Sequence, residues 1–305
     1  MREAFSKALV QAAKDNSKLY LLTGDHGYAL FDGLRKSSPE RFINAGVAEQ
    51  NMVGVASGLS KMGFLPVIYG LSAFVPVRVL EQIKIDFCYE NLPCILIGDG
   101  AGVVYSHLGT SHQSTEDIAC LRAIPNIRIL SPADKFELES CFQLALQAKA
   151  PVYLRFGKSD LGDVHKKAPD IAWGKPLEVK SGSGSTVFYA TGSMVHQALR
   201  LANEKYPDAS VYSVPCLKPL DENHFIQTFK GKKNVIVIEE HSVYGGLGSA
   251  VAEVVSSVGG PRVVRLGIKD RFSKMCGTYQ YLMKEHELDF EALARDVAIQ
   301  LERVL

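Results

Sequence analysis

Aliphatic and β-branched runs of four or five residues alternate with amphipathic, helix-period segments along almost the whole chain, a pattern that neither an all-helical nor an all-β protein produces. Parallel strands need a crossover between them, so repeated strand and helix builds a mostly parallel sheet covered by helices. Up to about Lys158 the pattern predicts a helix over 4–14, a strand at Leu19-Tyr20-Leu21-Leu22-Thr23, a helix through 48–61 and a strand at 66–69. A helix over about 76–90 and strands at 94–97, 127–130 and 152–155 follow. Asp134, with Glu137 three residues on, announces a further helix as a capping box.

Between about Lys158 and Ser185 the periodicity fails, and Gly157-Lys158-Ser159-Asp160, Lys166-Lys167-Ala168-Pro169 and Ser181-Gly182-Ser183-Gly184-Ser185 read as connecting chain. Two α/β domains are therefore expected, 1–160 and 185–305, joined by a linker over 161–184. The second unit should hold strands at 186–190, 210–214, 234–238 and 262–266 with helices over 194–205 and 221–229. A glycine-rich turn, 244–250, opens another helix. It matches a dinucleotide fingerprint only partly, because Val251 stands at the third glycine position.

With 305 residues and 47% hydrophobic content the chain can bury a large core, and its net charge of +1 gives no basic footprint for nucleic acid. The first ten residues carry acid as well as base and lack a long apolar run, so neither a signal peptide nor membrane binding is expected and the protein should be cytoplasmic. Six cysteines without a C-x-x-C pair, mostly inside apolar segments, fit reduced packing residues.

The stretch from Ile43 to Gly58 reads as the end of a strand and then a helix with the carboxylate of Glu49 in its first turn. Gly54, Ala56, Ser57 and Gly58 would let another surface approach closely. Taken alone, Glu49 suits a helix N-terminus through the macrodipole. However, Arg41-Phe42-Ile43-Asn44-Ala45-Gly46-Val47-Ala48-Glu49-Gln50-Asn51-Met52 resembles the signature of the pyrimidine-binding domain of transketolases and 1-deoxyxylulose-5-phosphate synthases, which use thiamine diphosphate. The resemblance implies that Glu49 hydrogen-bonds the ring nitrogen of the aminopyrimidine and so activates the cofactor, a task for a carboxyl group in an apolar site.

Other motifs follow the same family. Tyr69 to Gln82 is similar to the segment whose aromatics pack on the pyrimidine, which implies Phe74 first and Tyr69 second as stacking partners, with Arg78 beside them. Core packing is the bland alternative for Tyr69. Gly102 to Gln113 resembles the loop whose last histidine faces the donor sugar, here His112. The two histidines of that loop lack a third nearby ligand for a metal. Many transketolases place a histidine at the position of Gly98 and an acid near His107 or Leu108; the departure implies a different donor sugar or orientation, with His107 as substitute. Arg155, at a strand end, and Lys158 are expected to hold a substrate phosphate, and Asp25 and His26 sit at an equivalent edge.

Gly98-Asp99-Gly100 with Asn126 mimics the motif that binds magnesium and diphosphate in these enzymes. The register of the resemblance puts Asp99 at the strand end before the histidine loop and Asn126 at the mouth of the next strand, so no metal site is assigned to this chain. It then looks like the C-terminal half of a split transketolase. Lys218-Pro219-Leu220-Asp221 and Glu239-Glu240-His241 resemble the family's C-terminal domain, a structural and dimer-forming unit remote from the chemistry. The implied enzyme moves a two-carbon ketol unit from a ketose phosphate to an aldose. A separate N-terminal subunit would hold Mg2+ and the diphosphate, and two copies of each chain would form a heterotetramer. Alternatives are a deoxyxylulose-phosphate-synthase-like or oxo-acid-decarboxylating subunit, a non-catalytic assembly subunit, or a nucleotide-binding protein using 244–250.

Overall fold

The computed structural model describes residues 1–302 apart from Tyr28 and Ser159. The first unit runs α1 (Arg2–Asp15), β1 (Leu19–Thr23), α2 (Asp32–Ser37), β2 (Phe42–Asn44), α3 (Glu49–Lys61), β3 (Leu65–Leu71), α4 (Leu80–Gln82), β4 (Cys94–Asp99), α5 (Asp117–Arg122), β5 (Arg128–Leu130), α6 (Lys135–Leu146) and β6 (Pro151–Phe156). The second runs β7 (Leu177–Lys180), β8 (Thr186–Ala190), α7 (Met194–Glu204), β9 (Ser210–Ser213), β10 (Cys216–Lys218), α8 (Glu222–Phe229), β11 (Asn234–Ser242), α9 (Leu247–Ser257), β12 (Arg262–Ile268), α10 (Tyr279–Glu285) and α11 (Phe290–Glu302).

The sheets are ordered β10-β5-β6-β4-β3-β1-β2 and β12-β11-β8-β9-β7. Among the described residues every strand pairing is parallel except those of β10 with β5 and of β7 with β9. Both faces of the first sheet are buried: Leu22, Ile68 and Leu96 pack under α3 on one side, while Leu21, Val67, Ile95 and Leu154 pack under α1 and α6 on the other. That two-sided burial is why these strands are near-continuous apolar runs. The two α/β domains expected from the sequence are present.

Three expectations change. The second sheet starts inside the predicted linker, at Leu177. A strand of the second unit, β10, leaves its own sheet and pairs antiparallel with β5, Cys216 opposite Leu130, so the two sheets share chain rather than meeting across a simple linker. Lys218 extends the connection, its ammonium donating to the carbonyl of Arg122 at 2.8 Å and to that of Ile124. The third change is the predicted helix over 76–90, which is a 3-10 turn at Val77–Val79, one α turn, and a π-helical turn over Ile83–Cys88. No helix among the described residues is long and apolar enough to cross a membrane. Of the cysteines, Cys88, Cys94, Cys141 and Cys216 are buried, Cys120 is half-buried and Cys276 is exposed; all are free thiols.

At the start of α6 the Asp134 carboxylate accepts from the backbone N–H groups of Phe136 and Glu137, as the capping pattern predicts. Glu137 reaches back one residue beyond the cap, to the N–H of Ala133 at 2.8 Å. The other oxygen of Asp134 accepts from the N–H groups of Val164 and His165 at 2.8 and 2.7 Å, pinning the connecting chain. Burial works to raise the Asp134 carboxyl, but these bonds and the His165 ring hold it down at about 2. A group depressed below its unfolded value stabilises the protein above about pH 4 and loses that stabilisation as pH falls through the folded value. Asp134→Ala is expected to cost about 2 kcal/mol at pH 7, the upper end for a helix cap. It should also flatten acid unfolding between pH 4 and 2, measured by urea titration across that range.

Candidate active site

In the first sheet β1 leads outward to β2, then the chain returns to place β3 on the other side of β1, so the connections diverge between β1 and β3. The carboxyl ends of strands flanking such a switch point open a crevice where ligands bind. The segments leaving β1, β2, β3 and β4 carry His26, Glu49, Phe74 with Arg78, and His112 respectively.

Four of these side chains touch in sequence. Glu49, the first residue of α3 and only 6% exposed, takes an Arg78 guanidinium nitrogen at 3.0 Å. The guanidinium carbon of Arg78 lies 4.0 Å from the centre of the Phe74 ring, stacking charge on the aromatic face. The His112 ring meets the other end of the row, 5.2 Å from Phe74 at 64°, with its Nδ1 3.0 Å from the hydroxyl of Ser111. A buried carboxylate, a flat aromatic surface and an imidazole are thus in line along one sheet edge. His26 is half-buried nearby, its pKa lowered by burial although Glu49 pulls the other way, and its Nε2 is buried without a partner. An acceptor, an aromatic face and an orphaned imidazole nitrogen suit a flat heteroaromatic ring with hydrogen-bonding edges. Asp25 is exposed beside His26, and His107 is exposed on the 3-10 turn before His112.

The geometry gives buried protein partners to two residues expected against ligands, Tyr69 and Arg155. Tyr69 is fully buried, packed against Phe5 and Phe31, and its hydroxyl donates to Asp99 at 2.6 Å, so its ring is part of the core and stacks on no ligand. Arg155 is 3% exposed, and its fork is spent on Asp117, Nε to Oδ2 at 2.8 Å and a terminal nitrogen to Oδ1 at 3.1 Å. A buried guanidinium whose bidentate edge is given to a carboxylate no longer offers that edge to a phosphate. Lys158 pairs with Asp160 at 3.1 Å and lies 5.3 Å from the ring centre of Tyr279.

Asp99 is engaged through one of its oxygens, Oδ2. It accepts from Tyr69 and from Tyr105 at 2.8 Å, and Arg2 stands 3.2 Å away. Its flanking glycines make room for the tyrosines: a Cβ on Gly98 would lie 2.2 Å from the Tyr153 hydroxyl, and one on Gly100 would lie 2.0 Å from the Tyr105 ring. Gly98, where many transketolases carry histidine, is thereby explained as space taken by Tyr153. Asn126 precedes β5 at the end where Arg128 faces Val152, whereas Asp99 ends β4 opposite Phe156, so the two lie at opposite edges of one sheet. Asn126 donates instead to the carbonyl of Cys88 at 2.8 Å. Among the described residues no cluster of three His, Cys, Asp or Glu side chains could hold a metal.

The glycine-rich turn at 244–250 is also filled from within. Glu239 accepts from the N–H groups of Leu247 and Gly248 at 2.7 and 2.8 Å, and a Cβ on Gly246 would lie 2.1 Å from its carboxyl. The helix N-terminus that would bind a nucleotide phosphate is occupied by the chain's own carboxylate. Sequence reasoning did not single out Asp117. It named Glu240 only within the Glu239-Glu240-His241 motif and not as a partner of the Val103 N–H; two acids and a histidine ending an otherwise apolar strand were the available signal.

The chain matches the transketolase pyrimidine-binding domain over residues 1–163 and the transketolase C-terminal domain over 176–292, and it belongs to the transketolase family. It is 34% identical to a putative transketolase C-terminal section of Methanocaldococcus jannaschii, with 99% of this chain and 96% of that protein covered. It is also 34% identical to one subunit of an apulose-4-phosphate transketolase of Actinobacillus succinogenes, over 87% and 86% of the two chains. Among solved structures, a split-gene transketolase described as an inactive beta4 tetramer superposes with a TM-score of 0.89 at 34% identity, covering 97% and 96%. The 1-deoxy-D-xylulose-5-phosphate synthases are weaker matches. Membership implies thiamine diphosphate as cofactor.

Proposed function

We propose that this transketolase subunit holds the pyrimidine end of thiamine diphosphate and works with a separate chain that holds Mg2+ and the diphosphate. The activity is transfer of a two-carbon ketol unit from a ketose to an aldose, as one half of a heteromeric transferase. The observation that carries the reading is the row Glu49–Arg78–Phe74–His112 at the switch point of the first sheet. Glu49 would hydrogen-bond a ring nitrogen, Phe74 would stack on the ring, and Arg78 orients the carboxyl. His112 would face the donor's oxygens and carry protons. When bound, the cofactor supplies the carbon nucleophile that these side chains lack.

Tyr69, Tyr105 and Arg2 all engage the Asp99 Oδ2, and Asn126 lies at the opposite end of the sheet on the Cys88 carbonyl, which supports assigning the diphosphate half to the partner. The relative described as an inactive tetramer of beta chains suits a subunit that is silent without its partner. Self-association is supported by apolar residues exposed on and next to α3 and the π turn, namely Val47, Val55, Met62, Ile85 and Tyr89, and by open space around Gly54 and Gly58, where nothing lies within 4 Å of an added Cβ. A heterotetramer follows if two such chains meet there while each binds one partner.

Calorimetry with Mg2+ and thiamine diphosphate is the test. Binding should be weak to this chain alone and at least about a hundredfold tighter in its mixture with the diphosphate-binding subunit, because each chain alone presents only part of the contact surface. Equal, Mg2+-dependent affinity for the single chain would return the metal to Asp99 and end the split-site reading.

A further inference from the structure

The loop carrying His107 and His112 is closed at its base and hung from the second domain. An antiparallel bridge ties Gly102 to Ser114, with N–H to carbonyl distances of 2.9 and 2.8 Å, so 102–114 is a closed loop. At that base, Glu240 from the end of β11 accepts the Val103 N–H at 2.8 Å, while the Tyr279 hydroxyl and the Ser193 hydroxyl hold the same carboxylate at 2.6 and 2.5 Å. Gly102, at φ +67, makes the fit possible, since a Cβ there would lie 2.4 Å from a Glu240 oxygen. Farther along, the Gly277 N–H donates to the Ser106 carbonyl at 3.3 Å. Ser273 donates to the Gln113 side chain at 2.7 Å, and the Ser242 N–H donates to the Thr115 carbonyl at 2.7 Å. Immediately beyond, His241 is buried and drawn down to about 4 by that burial, and its Nε2 accepts the Ala119 N–H at 3.3 Å. Every second-domain contact in this set falls on the segment 103–119, on both sides of His112.

We propose that the C-terminal domain is the positioning element for the histidine loop, acting chiefly through Glu240, and so sets where His112 stands against the substrate. The family resemblance makes this domain remote from the chemistry; the contacts place it one hydrogen bond from the base of the catalytic loop. Misplacing a reacting group by about 1 Å can cost on the order of a hundredfold in rate. The loop's two short 3-10 turns fix its local shape, with His107 and Leu108 exposed at its tip, whereas the second-domain contacts fix where its base stands. The catalytic part of the proposal rests on the ketol-transfer reading, whereas the clamp itself does not.

The test compares Glu240→Ala, Glu240→Gln and Ser273→Ala. Glutamine keeps an acceptor for the Val103 N–H, alanine does not, and Ser273→Ala removes a contact at the half-buried far end in case the buried alanine variant fails to fold. Amide hydrogen exchange of the chain should show residues 103–113 exchanging at least about tenfold faster in Glu240→Ala and Ser273→Ala, with β3 and β4 unchanged. In the reconstituted enzyme Glu240→Ala should lower kcat about tenfold or more while cofactor affinity stays within about twofold, and Glu240→Gln should restore most of the loss. Wild-type loop exchange in both alanine variants, or kcat and cofactor affinity falling together, would overturn the proposal. A wild-type mixture without ketol transfer would sink the functional reading instead, and the exchange measurement would still decide the clamp.

Discussion

Glu49→Gln should reduce ketol transfer by the reconstituted enzyme at least about a thousandfold, within the range expected when a positioned acid–base group is removed. The carboxyl is buried and faces the positive charge of the row, on Arg78. An amide of the same shape keeps the packing yet can neither share a proton with a ring nitrogen nor hold the guanidinium by charge. Fold and assembly should survive. Arg78 is 44% exposed, so water takes over much of its solvation and the pair is worth no more than about 1 kcal/mol. Turnover at saturating cofactor, read beside thermal melting and gel filtration, separates the two effects. Retention of more than about a tenth of wild-type turnover would remove Glu49 from the chemistry.

The legible and illegible parts of this chain divide along a physical line. Strand and helix order could be read because the central strands of the first sheet are buried on both faces and the longer helices on one, which writes burial directly into the sequence at periods that differ. Glu49, Phe74, Arg78 and His112 were named from short motifs of the family resemblance, and the structure brings the four side chains into contact. What failed was the assignment of partners to buried polar groups. Tyr69 was placed against the pyrimidine through the family resemblance, and Arg155 against a phosphate because strand ends in an α/β sheet face a crevice; both say where a residue sits and not what it pairs with. Their partners, Asp99 and Asp117, lie 30 and 38 residues away in the chain, and no local pattern couples them. The crossing of β10 was hidden for the same reason, since three residues joining another domain's sheet leave no periodicity to read.

Those hidden pairings carry the second large effect, on stability. Asp117→Ala is expected to destabilise the protein by about 3–5 kcal/mol, because it leaves Arg155 as an uncompensated charge in the interior. Asp117 is wholly buried and also accepts from the Tyr153 hydroxyl at 2.7 Å, while the His241 ring stands 3.9 Å off and cannot take over, burial having left it neutral at ordinary pH. Replacing both members by apolar residues, Asp117→Leu with Arg155→Met, should cost less than Asp117→Ala, since no stranded charge remains. Guanidinium titration of the single and double variants beside the parent protein gives the coupling directly. A phosphate-clamping Arg155 predicts the opposite pattern: Arg155→Met would leave stability within about 0.5 kcal/mol, as for a surface change, and raise the KM for a phosphorylated donor. Because the pair links the end of β6 to the first turn of α5, and α5 is held in turn by His241 of the second domain, a loss of stability with unchanged KM would mean that Arg155 serves the site by joining the two domains behind it.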